Sequence, residues 1–313
     1  MALFDEQRVL TKALSGFGID EKPLVSVLGK WNAEQRKAYR KSVVPEMFID
    51  DERQFEKWNG LHLLHLRQEF LRFMDAVVLY AMHPWERDAR LLNEALVNGN
   101  GPLHDVIIET ACTRSSNELL GAKRAYHSLF EHSIEDDIAS YIPNPERKLF
   151  FALVSPYRYE GPIVDQDIAQ SDALMFERAI RCSRNNILQD EDVLRVLTTS
   201  SKMHFKAIYE HYRLIRGKDL DKDLEAEFAL KCAVQCLCTP HAYFSEVLGS
   251  SLRAEVNDTA VSRVIVTRAE ADMKQIRQEY LRKYRFNLPN RIEELANGSY
   301  KDFLLTLVAK SDY

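Results

Sequence analysis

Four stretches of the chain superimpose on one another, and that internal repetition limits what it can fold into more than any other feature. They are LVSVLGKWNAEQRKAYRKSV from Leu24, VIIETACTRSSNELLGAKRAYHSLF from Val106, VLRVLTTSSKMHFKAIYEHY from Val193 and VSRVIVTRAEADMKQIRQEY from Val261. With Trp31, Arg114, Ser200 and Arg268 taken as equivalent, apolar or small residues stand three and four positions before each. These are Val27 and Leu28, Thr110 and Ala111, Val196 and Leu197, and Val264 and Ile265. Twelve positions after each anchor come Val43, Tyr126, Tyr212 and Tyr280. The anchors lie 83, 86 and 68 residues apart, so the chain is four related units, each with a small core of its own.

Nearly every apolar segment recurs at spacings of three and four, which makes the expected fold all-α. Each unit reads as helix, short loop, helix, a Ser/Thr/Asn-capped third helix and two more, with Ser115 placed to cap ahead of Glu118. The closing helices are strongly apolar around Phe70–Leu79, Lys148–Val154, Cys232–Leu237 and Phe303–Val308. Leu and Phe there are read as core. The expected units are residues 1–80, 81–158, 159–248 and 249–313.

A chain with 46% hydrophobic residues and a formal net charge of −5 has no general attraction for nucleic acid or bare anionic membrane. No apolar run approaches the roughly 18 residues of a membrane-spanning helix, and MALFDEQRVL does not read as a secretory leader, so a cytoplasmic protein is expected. Five cysteines at irregular spacing fit a reducing compartment. No G-x-x-x-x-G-K-S/T phosphate loop and no G-x-S-x-G nucleophile turn occurs, so no enzymatic activity is expected.

The stretch Leu14-Ser15-Gly16-Phe17-Gly18-Ile19-Asp20-Glu21-Lys22-Pro23 joins two helical patterns. Its glycines suit a tight turn whose carbonyls point outward, as a hard cation needs. Four helical repeats, a Gly-x-Gly-x-Asp-Glu opening, and Thr113-Arg114-Ser115 with Thr267-Arg268-Ala269 together resemble an annexin. Met82-His83-Pro84-Trp85-Glu86-Arg87-Asp88-Ala89, Leu153-Val154-Ser155-Pro156-Tyr157-Arg158-Tyr159-Glu160-Gly161 and Asp302–Leu307 resemble plant annexins of the annexin 4 subgroup. The resemblance covers essentially the whole chain. It implies four repeats of about five helices arranged as a curved disc, with Ca2+ as the cofactor and anionic phospholipid membranes as partners. It also implies peripheral membrane attachment when Ca2+ rises, a role in membrane, Ca2+ or stress signalling, and scope for self-association on membranes.

Carried over residue by residue, the first site would use the carbonyls of Leu14, Gly16 and Gly18 and the carboxylate of Glu69, with Phe17 and Ile19 contacting lipid. Ile19 stands where the family has threonine, and the gap from Gly18 to Glu69 is longer than usual, placing an insertion within residues 46–60. Asp51, Glu52 or Glu56 compete for the acidic role. Repeat 2 keeps Val97, Gly99 and Gly101 as weaker carbonyl ligands, but Tyr141 occupies the acid's position, with Asp136 and Asp137 out of register. Repeats 3 and 4 lack Gly-x-Gly: Ile187-Leu188-Gln189-Asp190-Glu191 and Arg253-Ala254-Glu255-Val256-Asn257-Asp258 stand there instead. The resemblance also matches Cys112 and Cys236 to a cysteine pair discussed as redox-active. Two alternatives therefore remain beside Ca2+-dependent membrane binding: a Ca2+-independent interaction or ion-conducting protein, and a weak peroxidase-like activity of Cys112 and Cys236. Asp219-Leu220-Asp221-Lys222-Asp223 begins like an EF-hand loop but has Leu224 where glycine is required, so it reads as an ordinary loop.

Overall fold

The computed structural model describes residues 3–13, 17–18, 20, 22–23, 27, 35, 38, 47–49, 54–56, 60–99, 101–182, 187–253 and 257–310. Among these, two compact units form by contact: Met1–Ala81 with Phe244–Tyr313, and Met82–Tyr243. The second unit carries α3 (Pro84–Leu96), α4 (His104–Thr113), α5 (Ser116–Phe130), α6 (Ile134–Tyr141) and α7 (Glu146–Leu153). It continues with α8 (Gln166–Cys182), a 3-10 turn at Ile187–Gln189, α9 (Glu191–Thr199), α10 (Lys202–Arg216), α11 (Leu220–Asp223) and α12 (Phe228–Cys238). In the first unit, α1 (Leu3–Ala13) and α2 (Gly60–Ala81) join α14 (Asp258–Arg268), α15 (Met273–Tyr284), α16 (Leu288–Leu295) and α17 (Gly298–Ala309). The chain passes between the units inside α13 (Pro240–Ser251). The sequence boundary drawn at 248/249 also falls within this helix.

The corner between third and fourth helices repeats in three dimensions. Glu131, Gly217 and Arg285, each seventeen positions after its anchor, end α5, α10 and α15 in left-handed backbone with φ of 64°, 67° and 58°. Two residues later Ser133, Asp219 and Asn287 stand at the N-caps of α6, α11 and α16. Polar side chains favour that position because they can satisfy exposed helix N–H groups. Next come the buried Ile134, Leu220 and Leu288, and four positions on the buried Ile138, Leu224 and Ile292. A left-handed residue stops a helix, a capping residue starts the next, and two apolar side chains seat it.

In repeats 2, 3 and 4 the tyrosine twelve places after the anchor is buried at this corner. Tyr126 and Tyr212 are fully buried, and each hydroxyl donates to the carboxylate eleven residues on. Tyr126 donates to Asp137, and Tyr212 donates to Asp223 at 2.8 Å. Burial first, then the adjacent carboxylate, pushes both phenols well above their ordinary value. In repeat 4 the residue eleven places after Tyr280 is Arg291, which instead donates to the Leu252 carbonyl at 3.1 and 3.0 Å. In repeat 1 the corresponding stretch contains a hairpin, β2 (Met47–Ile49) against β3 (Gln54–Glu56), with Phe48 opposite Phe55. The hairpin lies within 46–60, the stretch where the family resemblance leads one to expect an insertion.

Helices approach closely where glycine removes a side chain. A Cβ on Gly121 of α5 would sit 2.2 Å from the Trp85 ring of α3. The pairing reverses in α13 and α15, where a Cβ on Gly249 would sit 2.1 Å from the Tyr284 ring. In the first unit, Phe73 of α2 meets Phe303 of α17 edge-on with centroids 6.1 Å apart.

Replacing Tyr126 by Phe leaves part of the buried Asp137 unsatisfied and should cost about 1–3 kcal/mol. Tyr280→Phe, which abandons no carboxylate, should cost less than Tyr126→Phe. Denaturant midpoints of the two variants measure the difference.

Candidate functional site

The loop from α3 to α4 is the candidate site that the structure describes most fully. Helix α3 is amphipathic, burying Leu91, Leu92, Ala95 and Leu96, and it stops at Val97, whose N–H bonds to the Asn93 carbonyl at 2.9 Å. The Gly101 N–H then donates to the Asn98 carbonyl at 2.9 Å, and the Leu103 N–H reaches back to the Ala95 carbonyl at 2.8 Å. The turn is thus closed at its base by these bonds. Gly101 has φ of +101°, which side chains resist, and a Cβ at Gly99 or Gly101 would meet nothing within 4 Å. Val97 and Leu103 flank the turn as exposed apolar residues. Such a carbonyl-rich tip suits a hard oxygen-seeking cation.

No acid completes the turn from the expected position. Tyr141 is 44% exposed at the end of α6. Asp136 is engaged in a capping box with Ser133, bonding its N–H at 3.0 Å and its hydroxyl at 2.7 Å. Asp137 is buried and accepts from Tyr126 and His132. Both carboxylates therefore build the corner.

Of the repeat 1 residues, Leu14, Gly16 and Ile19 lie outside the described residues, as do Asp51 and Glu52. Phe17 and Gly18 form a two-residue strand, β1, paired in parallel with β4 (Ala296–Asn297). Glu69 lies inside α2, which runs unbroken from Gly60 to Ala81, whereas the family pattern places the acid in an interhelical loop. Glu56 is in β3.

In repeat 3 the glycine positions are filled by the 3-10 turn, with Ile187 and Leu188 buried. Asp190 caps α9, accepting the N–H groups of Asp192 and Val193 at 3.1 Å each. In repeat 4, Asn257 caps α14, and Asp258 is ion-paired with Arg72. Glu255 falls outside the described residues. The EF-hand-like aspartates are also engaged. Asp221 accepts from Tyr209 at 2.8 Å and Gln235 at 3.0 Å, while Asp223 accepts from Tyr212 and, at 2.8 Å, from Lys218. Among the described residues no group of three or more His, Cys, Asp or Glu side chains is arranged to hold a metal ion. Nor is any described helix long and apolar enough to cross a membrane.

Cys112 of α4 and Cys236 of α12 are both buried, on helices that pack together, and all five cysteines are free thiols. Burial raises the Cys112 thiol to about 11 against the pull of Arg158 and Lys202, and raises the Cys232 thiol to about 12. Those two cations serve backbone instead. Arg158 donates to the Ser200 and Leu197 carbonyls at 2.7 and 2.9 Å, and Lys202 to the Thr113 and Arg114 carbonyls at 2.8 and 3.0 Å. Sequence reading alone missed this use of cations at helix ends, since the partners are about 40 and 90 residues away.

The annexin family model matches residues 87–153 and 243–307. Annexin D4 of Arabidopsis thaliana is 45% identical over 320 residues, spanning 100% of both chains. Annexin Gh1 of Gossypium hirsutum is 38% identical over 305 residues, 95% of this chain and 92% of its own. Among solved structures, annexin III superimposes with a TM-score of 0.70 at 24% identity, covering 98% of this chain and 94% of its own. A mutant of annexin A8 with an intact N-terminus gives 0.69 at 26% identity, covering 98% and 95%.

Because Cys112 and Cys236 are buried and burial also raises the Cys112 thiol, a thiol reagent at about pH 7.5 should modify the exposed Cys182 first. Cys112 and Cys236 should react only after denaturant is added, which peptide mapping would show.

Proposed function

The chain belongs to the annexin family, and from that membership we propose that it is a non-enzymatic protein that binds anionic phospholipid membranes peripherally when Ca2+ rises. The observation that carries this reading is similarity to annexin D4 along the entire chain. The turn at Val97, Gly99 and Gly101 supports it with suitable chemistry. Oxygen ligands that are mostly neutral bind Ca2+ weakly by themselves. A phosphate or carboxylate from a lipid headgroup adds charge to the shell, so cation and membrane each raise the affinity for the other.

Repeat 1 is proposed as the principal contact, through the carbonyls of Leu14, Gly16 and Gly18 and the carboxylate of Glu69, with Phe17 and Ile19 at the lipid interface. It is the one repeat whose sequence has both glycines and a candidate acid. Repeat 2 is proposed as a weaker contact. In repeats 3 and 4 the capping roles of Asp190 and Asn257 and the ion pair of Asp258 support the absence of a standard site. The proposed setting is the cytoplasmic face of membranes during Ca2+ or stress signalling. Burial of Cys112 and Cys236 disfavours the redox alternative at neutral pH.

Cosedimentation with phosphatidylserine-containing vesicles tests the reading. The protein should pellet with Ca2+ and stay in solution with chelator, and Glu69→Gln should need about tenfold more Ca2+ for the same pelleting. Pelleting that chelator leaves unchanged would overturn it.

A further inference from the structure

A chain of hydrogen bonds connects a half-buried histidine to the base of the repeat 2 turn. His132, between α5 and α6, places Nε2 2.8 Å from an Asp137 carboxylate oxygen. The same oxygen accepts from the Tyr126 hydroxyl, and the Asn93 side-chain amide donates to that hydroxyl at 3.1 Å. Asn93 lies on the last turn of α3, and its backbone carbonyl holds the Val97 N–H at which the turn begins. The histidine ring is itself held in an aromatic cluster, 5.9 Å from Tyr126 and 6.5 Å from Phe130 between centroids.

Repeat 3 supplies an internal control. Eighty-six residues after His132 stands Lys218, whose ammonium lies 2.8 Å from Asp223, the counterpart of Asp137. A lysine there stays charged throughout the physiological range, whereas a histidine does not. The counterpart of Asn93 is Ala179, which has no group to continue the chain. Repeat 3, whose turn is filled by Ile187 and Leu188, thus has the clamp without either a titrating end or a connection to the loop. Repeat 2 has both.

We propose that His132 is a positioning residue for the repeat 2 turn, acting through Asp137, Tyr126 and Asn93 to fix the end of α3 more firmly when the imidazole is protonated. The groups facing the ring favour the proton. Asp137 leads through its hydrogen bond, burial opposes it, and the charges of Asp137 and Asp136 from α6 and the Phe130 carbonyl from α5 add to it. Of the remaining groups, His127 acts on Asp136, Tyr126 is a neutral phenol, Asn93 of α3 carries no charge, and Glu131 adjoins the ring in sequence. The pKa of His132 is thereby raised in the fold. A raised value means that the clamp is fully formed below the ordinary imidazole value of about 6.5 and loosens as pH climbs through the higher folded value. The turn would then be most firmly set in mildly acidic solution and loosest at alkaline pH.

The importance of this for membranes rests on the function proposed above, so the test is run without Ca2+ or lipid. Amide and imidazole NMR signals of the full chain are followed from about pH 5.5 to about pH 8.5. The Gly99 and Gly101 amides should titrate with the same midpoint as His132, above about 6.5. His132→Lys, which reproduces the Lys218–Asp223 pair of repeat 3, should fold normally and abolish the pH dependence of both glycines. Asn93→Ala should leave His132 titrating while the glycines no longer follow it. Glycine signals that ignore pH in the native chain, or that still titrate in either variant, would overturn the proposal whatever the vesicle experiment gives.

Discussion

The corner between the third and fourth helices of a repeat is the constraint on which the neighbouring packing depends. A helix continues unless something stops it, and here the stop is one left-handed residue. At two of three described corners it is not glycine: Glu131 and Arg285 take φ of 64° and 58°. A left-handed L-residue costs roughly 1–2 kcal/mol, so neighbouring contacts have to offset it. The Ser133 capping box and the buried Ile134, Leu220 and Leu288 contribute to that offset. In repeats 2 and 3 a tyrosine hydroxyl adds a bond to a carboxylate past the turn. The corner sets the direction of the short fourth helix, and hence where the closing apolar helix can pack.

Charge is used in the interior to a degree that a net charge of −5 conceals. Arg114 grips the buried Asp88 at 2.5 and 2.8 Å, and Arg268, at the equivalent anchor, grips Asp272 of its own turn at 2.7 Å through two nitrogens. The third anchor is Ser200, and there Arg158 reaches in from the linker to bond the Ser200 carbonyl. Three repeats thus bring an arginine to the same junction by three routes. Helix carbonyls left without partners at a C-terminus carry partial negative charge, and a cation is the natural cap. Acids bound to arginines, tyrosines and N–H groups in this way are withdrawn from the pool that could ligate a cation.

Much of the architecture was legible in the sequence because its signals are local. Apolar spacing marked the helices, Ser115 and Glu118 form the capping box that their spacing suggests, and the alignment of anchors reappears as equivalent left-handed turns. The hairpin within 46–60 was legible only as excess length, since a strand pair of three residues on each side has too short an alternation to stand out. At the site, Gly-x-Gly marked the turn of repeat 2, and the unsuitable register of Asp136 and Asp137 was visible. The task of Asp137 was not, because Tyr126 and His132 find it through a corner whose geometry sequence spacing does not reveal, whereas Asp136 is held locally by Ser133. Arg158 and Lys202 escaped notice for the same reason: a long cation near a distant helix end leaves no periodic trace.

Related loops differ in more than their glycines. Loss of glycines alone would leave repeats 3 and 4 with loops of a different shape but with their acids still available. Instead Asp190 turns back to cap α9 and Asp258 pairs with Arg72, so these two acids contribute to folding. Placing a glycine pair there would supply carbonyls, but recruiting Asp190 or Asp258 would uncap a helix or break an ion pair. Repeat 2 stands between the two conditions, with an open carbonyl turn and both nearby acids engaged in its corner. Neither Asp136 nor Asp137 is then available to charge a cation's shell there. Under the proposed function such a turn depends on lipid for its charged ligand, whereas repeat 1, with a candidate carboxylate of its own, does not depend on lipid to the same degree.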